Sequence, residues 1–274
     1  MKNFKISLCQ IIPGKNKAEN VCRALDMISE VARNGAALIV FPEIFYYPFE
    51  LLALRTISGD ENEILTQFQN QAKKYEVYIC TGSMVFNNAG KRFNTSHLIS
   101  PKGEVLLNFS KCHLFDAEFE SMRVKESLVF SPGTNCSVAA TELGTIGINI
   151  CYDIRFPEMA RHCALLGAEL LLVPAVFNQI TGPAHWKCFM QTRAVENQLY
   201  LVAVSQGRSL ESDVTYKAYG HSMVVSPWGE VLAEAGEDET ILYVDLDPAL
   251  LAATRKRLPL LQHRRDKLYN SFNR

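Results

Sequence analysis

The pattern of hydrophobic and polar positions predicts short strands that alternate with longer amphipathic helices. Apolar residues recur every three or four positions over 17–34, 61–75, 157–166 and 184–198, as expected for helices with one buried face. The continuous apolar runs 37–41 and 170–173 are typical of strands that are buried on both sides of a sheet. The remaining predicted strands are 4–10, 77–86, 93–100, 104–109, 146–151, 200–205, 220–226, 230–234 and 241–245.

The two halves of the chain repeat the same order of elements, and two short motifs repeat with them. Gly-Ala-Ala-Leu-Ile-Val-Phe-Pro at 35–42 resembles 167–174, and Ser-Pro-Lys-Gly-Glu-Val-Leu at 100–106 resembles 226–232. Similar turns recur in unrelated α/β proteins, but the shared order favours an internal duplication. Two strand-rich halves with helices predict an α/β fold, a four-layer αββα sandwich of two mixed sheets with an internal pseudo-twofold axis. Because no linker separates the halves, we expect residues 1–274 to form a single domain.

The composition is that of an ordinary globular protein. Hydrophobic residues make up 48% and charged residues 21% of the 274 positions, which excludes a disordered chain. A net charge of -1 with interspersed signs provides no basic patch for nucleic acid or an anionic membrane. The sequence contains no apolar run of about 18 residues and no signal-peptide pattern. We therefore expect a cytoplasmic protein with no nucleic-acid or membrane partner.

The eight cysteines and six histidines are scattered along the sequence. No two cysteines lie two or three residues apart, and no His-x-x-x-His pair occurs, so local zinc-ligand and dithiol motifs are absent. We expect mostly reduced, inert thiols and no metal site. The cysteines are Cys9, Cys22, Cys80, Cys112, Cys136, Cys151, Cys163 and Cys188.

Cys151 lies where the pattern changes from strand to turn to helix. The segment alternates like a strand as far as Ile150, then continues through polar residues and Pro157 into a predicted helix. A side chain at such a junction is held by the sheet yet projects at its edge, where hydrolases often place a nucleophile. A buried free cysteine that packs as a small apolar residue explains this segment equally well.

Glu43 and Lys111 also follow predicted strands. Glu43 ends an apolar run in which Pro42 stops the strand hydrogen bonding, so its carboxylate would be partly desolvated and a good proton acceptor. The alternative role of Glu43 is an exposed cap or ion-pair residue. Lys111 follows the predicted strand 104–109, and its alternative role is a solvated surface lysine. Neither residue defines a site by itself.

Taken together, the segments around these residues resemble the motifs of the nitrilase superfamily of carbon–nitrogen hydrolases. Phe-Pro-Glu ends at Glu43, Ser-Lys-x-His-Leu-Phe-Asp contains Lys111, and Cys-Tyr-Asp-Ile-Arg-Phe-Pro-Glu begins at Cys151. The order and spacings are similar to those of the family over essentially the whole chain. The resemblance implies an αββα sandwich, a Glu43–Lys111–Cys151 triad, a second glutamate at Glu126 and a homodimer.

The resemblance also implies hydrolysis of a small-molecule amide to an acid and ammonia, without a cofactor. Cys151 would attack the amide carbonyl and form a thioester, while Glu43 moves the proton and later activates water. Lys111 and the backbone N–H of Tyr152 would bind the oxyanion, and losing one such donor costs on the order of 10²–10³ in rate.

The charge of Lys111 does not by itself decide the protonation of Cys151. An ammonium about 4 Å from a thiol contributes roughly 4 kcal/mol at an effective dielectric near 20, which equals about three pKa units. An ionised Glu43 at a similar distance would cancel most of this effect. We therefore expect Cys151 and Glu43 to share one proton, with Lys111 fixing the total charge.

Further motifs resemble the branch of the superfamily that contains ω-amidases and deaminated-glutathione amidases. They occupy 174–178, 181–186, 219–222 and 226–229. Two details favour ω-amidases, which hydrolyse α-ketoglutaramate and α-ketosuccinamate. They are Phe-Asp after His113-Leu, and Phe177-Asn178 before Thr-Gly-Pro-Ala-His-Trp. Two segments depart from the branch, because 116–125 lacks a Pro-Gly and Phe49 replaces a Tyr. Both segments are expected to border the pocket.

Substrates of this branch carry a carboxylate and therefore need a cation or N–H donors. Arg155 is one candidate, and its alternative role is a salt bridge with Asp153, Glu158 or Glu196. The segment 181–186 opens a predicted helix whose N-terminal N–H groups can bind an anion, or it is simply a helix start with proline in the first turn. The other candidate substrate contacts are Phe177, Asn178 and Thr181.

Other functions would use the same residues differently. A cysteine protease would pair Cys151 with His162 or His221, although no spacing supports this pairing. A nitrilase would use the triad on a nitrile. A non-catalytic binding protein on the same fold would be expected to lack a triad residue, and all three are present. The segment 258–269 fits a dimer interface or a surface arm equally well.

Overall fold

The computed structural model describes residues 1–57, 59–120 and 122–271. Within these ranges the helices are α1 Lys17–Arg33, α2 Leu51–Leu54, α3 Glu61–Tyr75, α4 Pro157–Leu165, α5 Gly182–Asn197, α6 Pro248–Arg257 and α7 Asp266–Asn270. The strands are β1 Phe4–Gln10, β2 Leu38–Val40, β3 Tyr78–Cys80, β4 Met84–Asn88, β5 Lys91–Ile99, β6 Val105–Ser110, β7 Asp116–Glu118, β8 Arg123–Lys125, β9 Val138–Thr141, β10 Gly144–Ile148, β11 Leu170–Ala175, β12 Tyr200–Ser205, β13 Met223–Val225, β14 Val231–Glu234 and β15 Thr240–Leu246. None of the described helices has the length and apolar character needed to span a membrane.

Two mixed sheets contain most of the strands. The first has the order β15-β1-β2-β3-β5-β4, with β6 also paired to β5, and the second has the order β14-β13-β12-β11-β10-β9. Strands β1, β2 and β3 are parallel to one another, as are β10, β11 and β12. Each parallel group has an antiparallel outer neighbour, since β15 pairs with β1 and β9 pairs with β10. The remaining pair, β7 and β8, forms a separate ribbon.

The sheets are packed because their strands are apolar on both faces. In β1, Ile6 and Leu8 belong to the core that joins the two sheets, whereas Cys9 belongs to the core beneath α1 and α3. This division follows from the two-residue period of a strand, which sends neighbouring side chains to opposite faces. All six residues of β11 are buried. The layers are therefore helices, sheet, sheet and helices, as the sequence predicts.

The internal repeat extends to individual hydrogen bonds. In the Ser-Pro-x-Gly-Glu turns, the N–H of Ser100 donates to the Glu104 carbonyl and that of Ser226 donates to the Glu230 carbonyl, both at 2.8 Å. A glutamine of the neighbouring helix donates to the glycine carbonyl of each turn at 2.8 Å. These glutamines are Gln69 in α3 and Gln191 in α5. The repeated motifs thus specify the same tertiary contact twice.

Some predicted strands are divided or shortened. The predicted strand 77–86 is two strands, because a Cβ on Gly82 would lie 2.0 Å from the Pro42 carbonyl oxygen and the glycine adopts φ +71°. The predicted strand 220–226 retains only β13, since Gly220 and His221 both have positive φ. The sequence pattern did not predict α2, α6, α7, β7, β8 or β9, which are short or lie at the edges.

Candidate active site

Cys151 is held in a strained turn that begins three residues after the last residue of β10. It begins a short 3₁₀ turn, Cys151–Arg155, and adopts φ +47°, a conformation that side chains other than glycine rarely take. The Asp153 carboxylate accepts the N–H of Ile150 at 3.1 Å and fixes the entry to this turn. The thiol is buried, with the residue 6% exposed. Cys151 thus lies at the strand–turn–helix junction that the sequence predicts.

Glu43 lies at the corresponding end of β2 and is fully buried. The next residue, Ile44, has φ +48°, and its N–H donates to the Ser83 hydroxyl at 3.1 Å. The close approach of Gly82 to Pro42 holds the same segment from the other side. The alternative of an exposed cap at Glu43 is wrong, because its carboxylate is enclosed by protein.

Lys111 joins two carboxylates in the interior. Its Nζ lies 2.8 Å from Glu43 Oε1 and 2.9 Å from Glu126 Oε2, and all three side chains are at most 1% exposed. Asn94 donates to Glu43 Oε1 at 2.7 Å, and the N–H of Phe115 donates to Glu126 Oε2 at 2.6 Å. The alternative of a solvated Lys111 is therefore wrong. One ammonium is shared by two buried acids.

The charges of this group set the protonation of Cys151. Burial alone would lower the pKa of Lys111, but the carboxylates of Glu126 and Glu43 outweigh it and hold that pKa well above its usual value. Burial raises the pKa of Glu126 against the opposing charge of Lys111. Burial and then the Glu43 charge raise the pKa of Cys151 well above 9.0, while Lys111 and a backbone hydrogen bond from Val176 oppose them. The thiol is therefore protonated at neutral pH and needs a proton acceptor to react.

Glu43 has an atom available for that proton. Its Oε2 is buried and makes no hydrogen bond within the part of the chain that the structure describes. Its Oε1, in contrast, accepts hydrogen bonds from Lys111 and Asn94. Glu43 is thus fixed through one oxygen and can accept a proton on the other.

A small cavity lies beside the thiol, and a larger groove shares one lining residue with it. The cavity at Cys151 has a volume of about 10 Å³ and is bordered by Arg155, Phe177 and Thr181. Tyr216 lines both this cavity and a groove of about 730 Å³ that Phe49 also lines. Met122, Arg123 and Val124 complete this side of the groove. The two segments that depart from the family pattern therefore both border the groove, as expected.

Arg155 is a cation without a carboxylate partner among the described residues. Its Nη1 lies 3.0 Å from His185 Nδ1, and its guanidinium lies 4.7 Å from the ring centroid of Phe177. The proposed alternative, a salt bridge, is wrong within those residues, because Asp153 pairs with His113 and Glu196 pairs with Arg193. No ion pair joins Arg155 to Glu158 there either. Burial lowers the pKa of Arg155, so the unpaired charge is costly unless an anion binds.

Asn178 and Thr181 belong to one hydrogen-bonded turn. Asn178 Oδ1 accepts the N–H of Ile180 and both the N–H and hydroxyl of Thr181, at 2.8 to 3.0 Å. Asn178 Nδ2 is buried and, among the described residues, has no acceptor. The N–H of Gly182 is already used by the Asn178 carbonyl at 2.8 Å, so the start of α5 is not an open set of donors. Asn178 offers one free amide donor at the border of the groove.

Phe177 and Tyr152 form the apolar side of the cavity. Phe177 packs edge-on against Trp186 with ring centroids 5.0 Å apart. The Tyr152 ring lies 5.0 Å from that of Phe115, and its backbone N–H directly follows Cys151 in the turn. The oxyanion role of this N–H stays a prediction.

Neither histidine that a protease would require lies at the thiol. His221 Nδ1 is 3.7 Å from Glu234, and its ring stacks on Tyr219. His162 lies in the last turn of α4. No hydrogen bond from either histidine to Cys151 occurs among the described residues, so the structure gives no support to a cysteine–histidine pair.

Three buried residues that the sequence did not indicate hold the site together. Gln206 Nε2 donates to the carbonyls of Glu43, Ile44 and Tyr47 at 2.8 to 3.0 Å. Asp153 accepts the N–H of His113 at 2.8 Å and so joins the Lys111 segment to the Cys151 turn. Asn94 bridges the acids. The contacts named here join residues that are 32 or more positions apart in sequence, so no local motif could reveal them.

Known proteins resemble this chain in both sequence and fold. The profile of the carbon–nitrogen hydrolase family matches residues 5–256. Omega-amidase NIT2-A of Xenopus laevis is 39% identical over 275 residues, covering 98% of each chain. Saccharomyces cerevisiae Nit3, a member of branch 10 of the nitrilase superfamily, has a TM-score of 0.86 at 33% identity, covering 96% of this chain and 97% of its own.

A further solved structure concerns the chemistry of a relative. It is a glutamate-to-glutamine mutant of the amidase from Nesterenkonia sp. AN1, with a TM-score of 0.82, 25% identity and coverage of 98% and 96%. That protein shows covalent addition of the acetamide moiety of fluoroacetamide at its active-site cysteine. The αββα fold class predicted from the sequence is confirmed by these superpositions.

Proposed function

The chain belongs to the carbon–nitrogen hydrolase family, and on that premise we propose that it is an ω-amidase with a Glu43–Lys111–Cys151 triad. The convergence of one thiol, one ammonium and two carboxylates in a water-excluded group carries this proposal. Its substrate is a small carboxylate-bearing amide, α-ketoglutaramate or α-ketosuccinamate. The relatives named as omega-amidases support this choice.

Acylation begins with the protonated thiol. Glu43 accepts the proton of Cys151 as the sulfur attacks the amide carbonyl carbon, which gives a tetrahedral oxyanion. Lys111 and the Tyr152 N–H stabilise the negative oxygen. The intermediate collapses by breaking the carbon–nitrogen bond, and Glu43 returns the proton so that ammonia leaves. The product of this half-reaction is an acyl thioester on Cys151.

Deacylation uses the same carboxylate a second time. Glu43 removes a proton from water as the water oxygen attacks the thioester carbonyl. Collapse of the second oxyanion expels the thiolate, which regains the proton from Glu43. The carboxylic acid product leaves and the thiol is restored. Glu126 keeps Lys111 in place through its 2.9 Å contact and so acts as a positioning residue.

The carboxylate of the substrate is proposed to bind Arg155. This guanidinium borders the same small cavity as Cys151 and has no carboxylate partner among the described residues. The free Nδ2 of Asn178 adds a neutral donor, and Phe177 holds the guanidinium plane through its ring face. Thr181 borders the cavity while its hydroxyl donates to Asn178, so it shapes the pocket.

Ammonia release from a panel of amides tests the proposal. The panel is α-ketoglutaramate, α-ketosuccinamate, deaminated glutathione and glutamine, together with a nitrile of matching length. We expect the two ω-amides to give the highest kcat/KM and Cys151→Ala to release no ammonia from any of them. Preference for deaminated glutathione would overturn the substrate choice, and preference for the nitrile would overturn the amidase. Absence of turnover throughout would favour a binding protein.

We further propose that residues 1–274 act as one hydrolase domain, as a homodimer, in the cytoplasm. The family match across 5–256 supports the single domain. All eight cysteines are free thiols, which is typical of a reducing compartment. Exposed apolar side chains near α4, α5 and the end of α6 support a dimer interface, and they are Leu165, Leu166, Val195, Trp228 and Leu258. Light scattering that gave the mass of a single chain would contradict the dimer.

A further inference from the structure

Cys136 and Cys163 form a close pair of thiols outside the proposed reaction. Their Sγ atoms are 3.4 Å apart although the residues are separated by 27 positions in sequence. Cys163 is buried in α4, whereas Cys136 is partly exposed in the loop before β9. We propose that this pair is a redox modification site, at which a hydroperoxide oxidises the two thiols to an intramolecular disulfide.

The two thiols have different environments that suit the two steps of such an oxidation. The hydrogen bond from Cys163 lowers the pKa of Cys136 against the effect of burial, whereas the same contact and burial raise the pKa of Cys163. The more accessible sulfur is therefore also the more nucleophilic one, since the thiolate is the reactive form. The buried sulfur lies beside it and needs only to approach within bonding distance.

The oxidation balances with hydrogen peroxide, the simplest hydroperoxide, as the sole oxidant. The Cys136 thiolate attacks the peroxide oxygen, which breaks the oxygen–oxygen bond and gives a sulfenic acid with release of one water after protonation. The Cys163 sulfur then attacks the Cys136 sulfur and displaces hydroxide, and its own proton converts that hydroxide to a second water. Two thiols are oxidised to one disulfide while one peroxide is reduced to two waters.

The other cysteines lack this arrangement. Burial raises the pKa of Cys80 to about 11 and that of Cys112 to about 12, and it also raises the pKa of Cys9 and of Cys151. Cys22 and Cys188 are exposed, but among the described residues neither has a second thiol within hydrogen-bond distance. Only Cys136 and Cys163 combine an accessible thiol with a partner, within that part of the chain.

The proposed Cys136–Cys163 disulfide would connect two segments that flank the candidate active site. The loop before Cys136 contains Gly133, whose N–H donates to the Lys111 carbonyl at 2.8 Å. A Cβ on Gly133 would lie 2.1 Å from the Ser110 carbonyl oxygen, so this loop is packed tightly against the Lys111 segment. On the other side, α4 follows the turn Cys151–Arg155 with one residue between them. Oxidation would thus link the loop that supports Lys111 to the helix after Cys151.

Peptide mapping of the full chain tests this inference, independently of any amidase activity. The protein is treated with one equivalent of hydrogen peroxide, the remaining thiols are alkylated, and an unreduced digest is analysed by mass spectrometry. We expect a Cys136–Cys163 cross-linked peptide that disappears after treatment with dithiothreitol. Cys188→Ser serves as the matched control with an exposed cysteine removed, and it should form the cross-link to the same extent.

A second variant separates the two chemical steps. In Cys163→Ser, the sulfenic acid on Cys136 has no partner, so we expect it to persist and to be labelled by dimedone. Recovery of both Cys136 and Cys163 as alkylated thiols, at a peroxide dose that oxidises Cys22 or Cys188, would overturn the inference. A persistent sulfenic acid on Cys136 of the unmodified chain would overturn it as well.

Discussion

The two halves of this protein share a scaffold but differ at the ends of their central strands. The ladders align Ile6, Leu38 and Tyr78 in the first sheet, and the second sheet repeats the same row of residue types. That second row consists of Ile146, Leu170 and Tyr200. The helix-to-turn contact of Gln69 recurs as that of Gln191. The two halves therefore place the same residue types and the same helix-to-turn contact at equivalent positions of their sheets.

The chemistry is not repeated. Continuing along the aligned strands, the counterpart of Glu43 is Ala175, and the counterpart of Cys151 is Ile11. The first half supplies the acid and the ammonium, while the second supplies the thiol and the cation at Arg155. Different functional groups from the two halves therefore meet in a single site between two similar sheets.

The largest effect is expected for the thiol itself. Cys151→Ala should lower kcat/KM by about 10⁴-fold or more, because no other group can form the thioester. The counterpart change Ile11→Val removes one buried methylene at a cost of about 0.5–1.5 kcal/mol and should leave kcat unchanged. Steady-state ammonia release and thermal unfolding of both variants check this contrast. Residual turnover of Cys151→Ala above one part in a hundred would contradict the assigned role.

Replacing Glu43 should lower turnover but allow the Cys151 thiol to react with an alkylating agent at lower pH. Glu43→Gln should lower kcat by about 10²–10⁴-fold because the proton acceptor is lost. The Glu43 charge is one cause of the raised pKa of Cys151, so its removal should lower that pKa. The thiolate, and with it the alkylation of Cys151 by iodoacetamide, should then appear at lower pH than in the unmodified chain. An alkylation profile that stayed in place or moved to higher pH would refute the electrostatic account.

Removing the cation should affect only charged substrates. Arg155→Gln should raise KM for α-ketoglutaramate by about 10- to 100-fold, which is the range for a lost charge-assisted hydrogen bond. The kcat/KM for an uncharged amide such as propionamide should stay within about threefold. Arg123→Gln, which alters an exposed arginine on the groove, is the matched control. Equal losses on charged and uncharged amides would argue against a carboxylate anchor.

Gln206 should affect catalysis more than Gln10, a buried glutamine that makes similar hydrogen bonds. Both side-chain amides are buried and donate to backbone carbonyls, but only Gln206 holds the Glu43 loop. Either change to leucine should cost about 1–3 kcal/mol in the free energy of unfolding, since buried carbonyls lose their donors. Gln206→Leu should in addition lower kcat by about tenfold with little change in KM. If Gln10→Leu lowered kcat equally, the positioning role would be lost.

The smallest effects are expected where the halves are alike. Gln69→Ala and Gln191→Ala each remove one 2.8 Å hydrogen bond to the turn glycine. Each should lower the free energy of unfolding by about 1 kcal/mol, equally in the two halves, with no change in kcat. Denaturant titration of the two variants measures this. A large difference between them would show that the repeated contacts are not energetically equivalent.

The sequence predicted the layers because they depend on apolar runs, whereas the candidate triad came from the resemblance of three motifs to the nitrilase superfamily. The apolar runs before Glu43 and Cys151 identify buried strands, and the residue after each run lies at a strand end. The same patterns failed at the 77–86 segment, since the close contact of Gly82 with Pro42 involves residues 40 positions apart. Local alternation contains no information about such an approach.

The supporting residues were missed for a related reason. Gln206 binds carbonyl groups about 160 residues away, and backbone carbonyls have no sequence signature. Arg155 was assigned two competing roles, because its sequence neighbours include acids that turn out to bond elsewhere. The partner of a polar group is decided by the tertiary fold, and only the structure shows that Arg155 forms no salt bridge among the described residues.

Direct detection of the acyl intermediate is the most immediate test of the proposed mechanism. The full chain is mixed with saturating α-ketoglutaramate, quenched in acid within one turnover, digested and analysed by mass spectrometry. The account predicts that the peptide containing Cys151 gains the mass of the acyl group and loses it again as product accumulates. Formation of product with an unmodified Cys151 at every quench time, or acylation of a different cysteine, would contradict it.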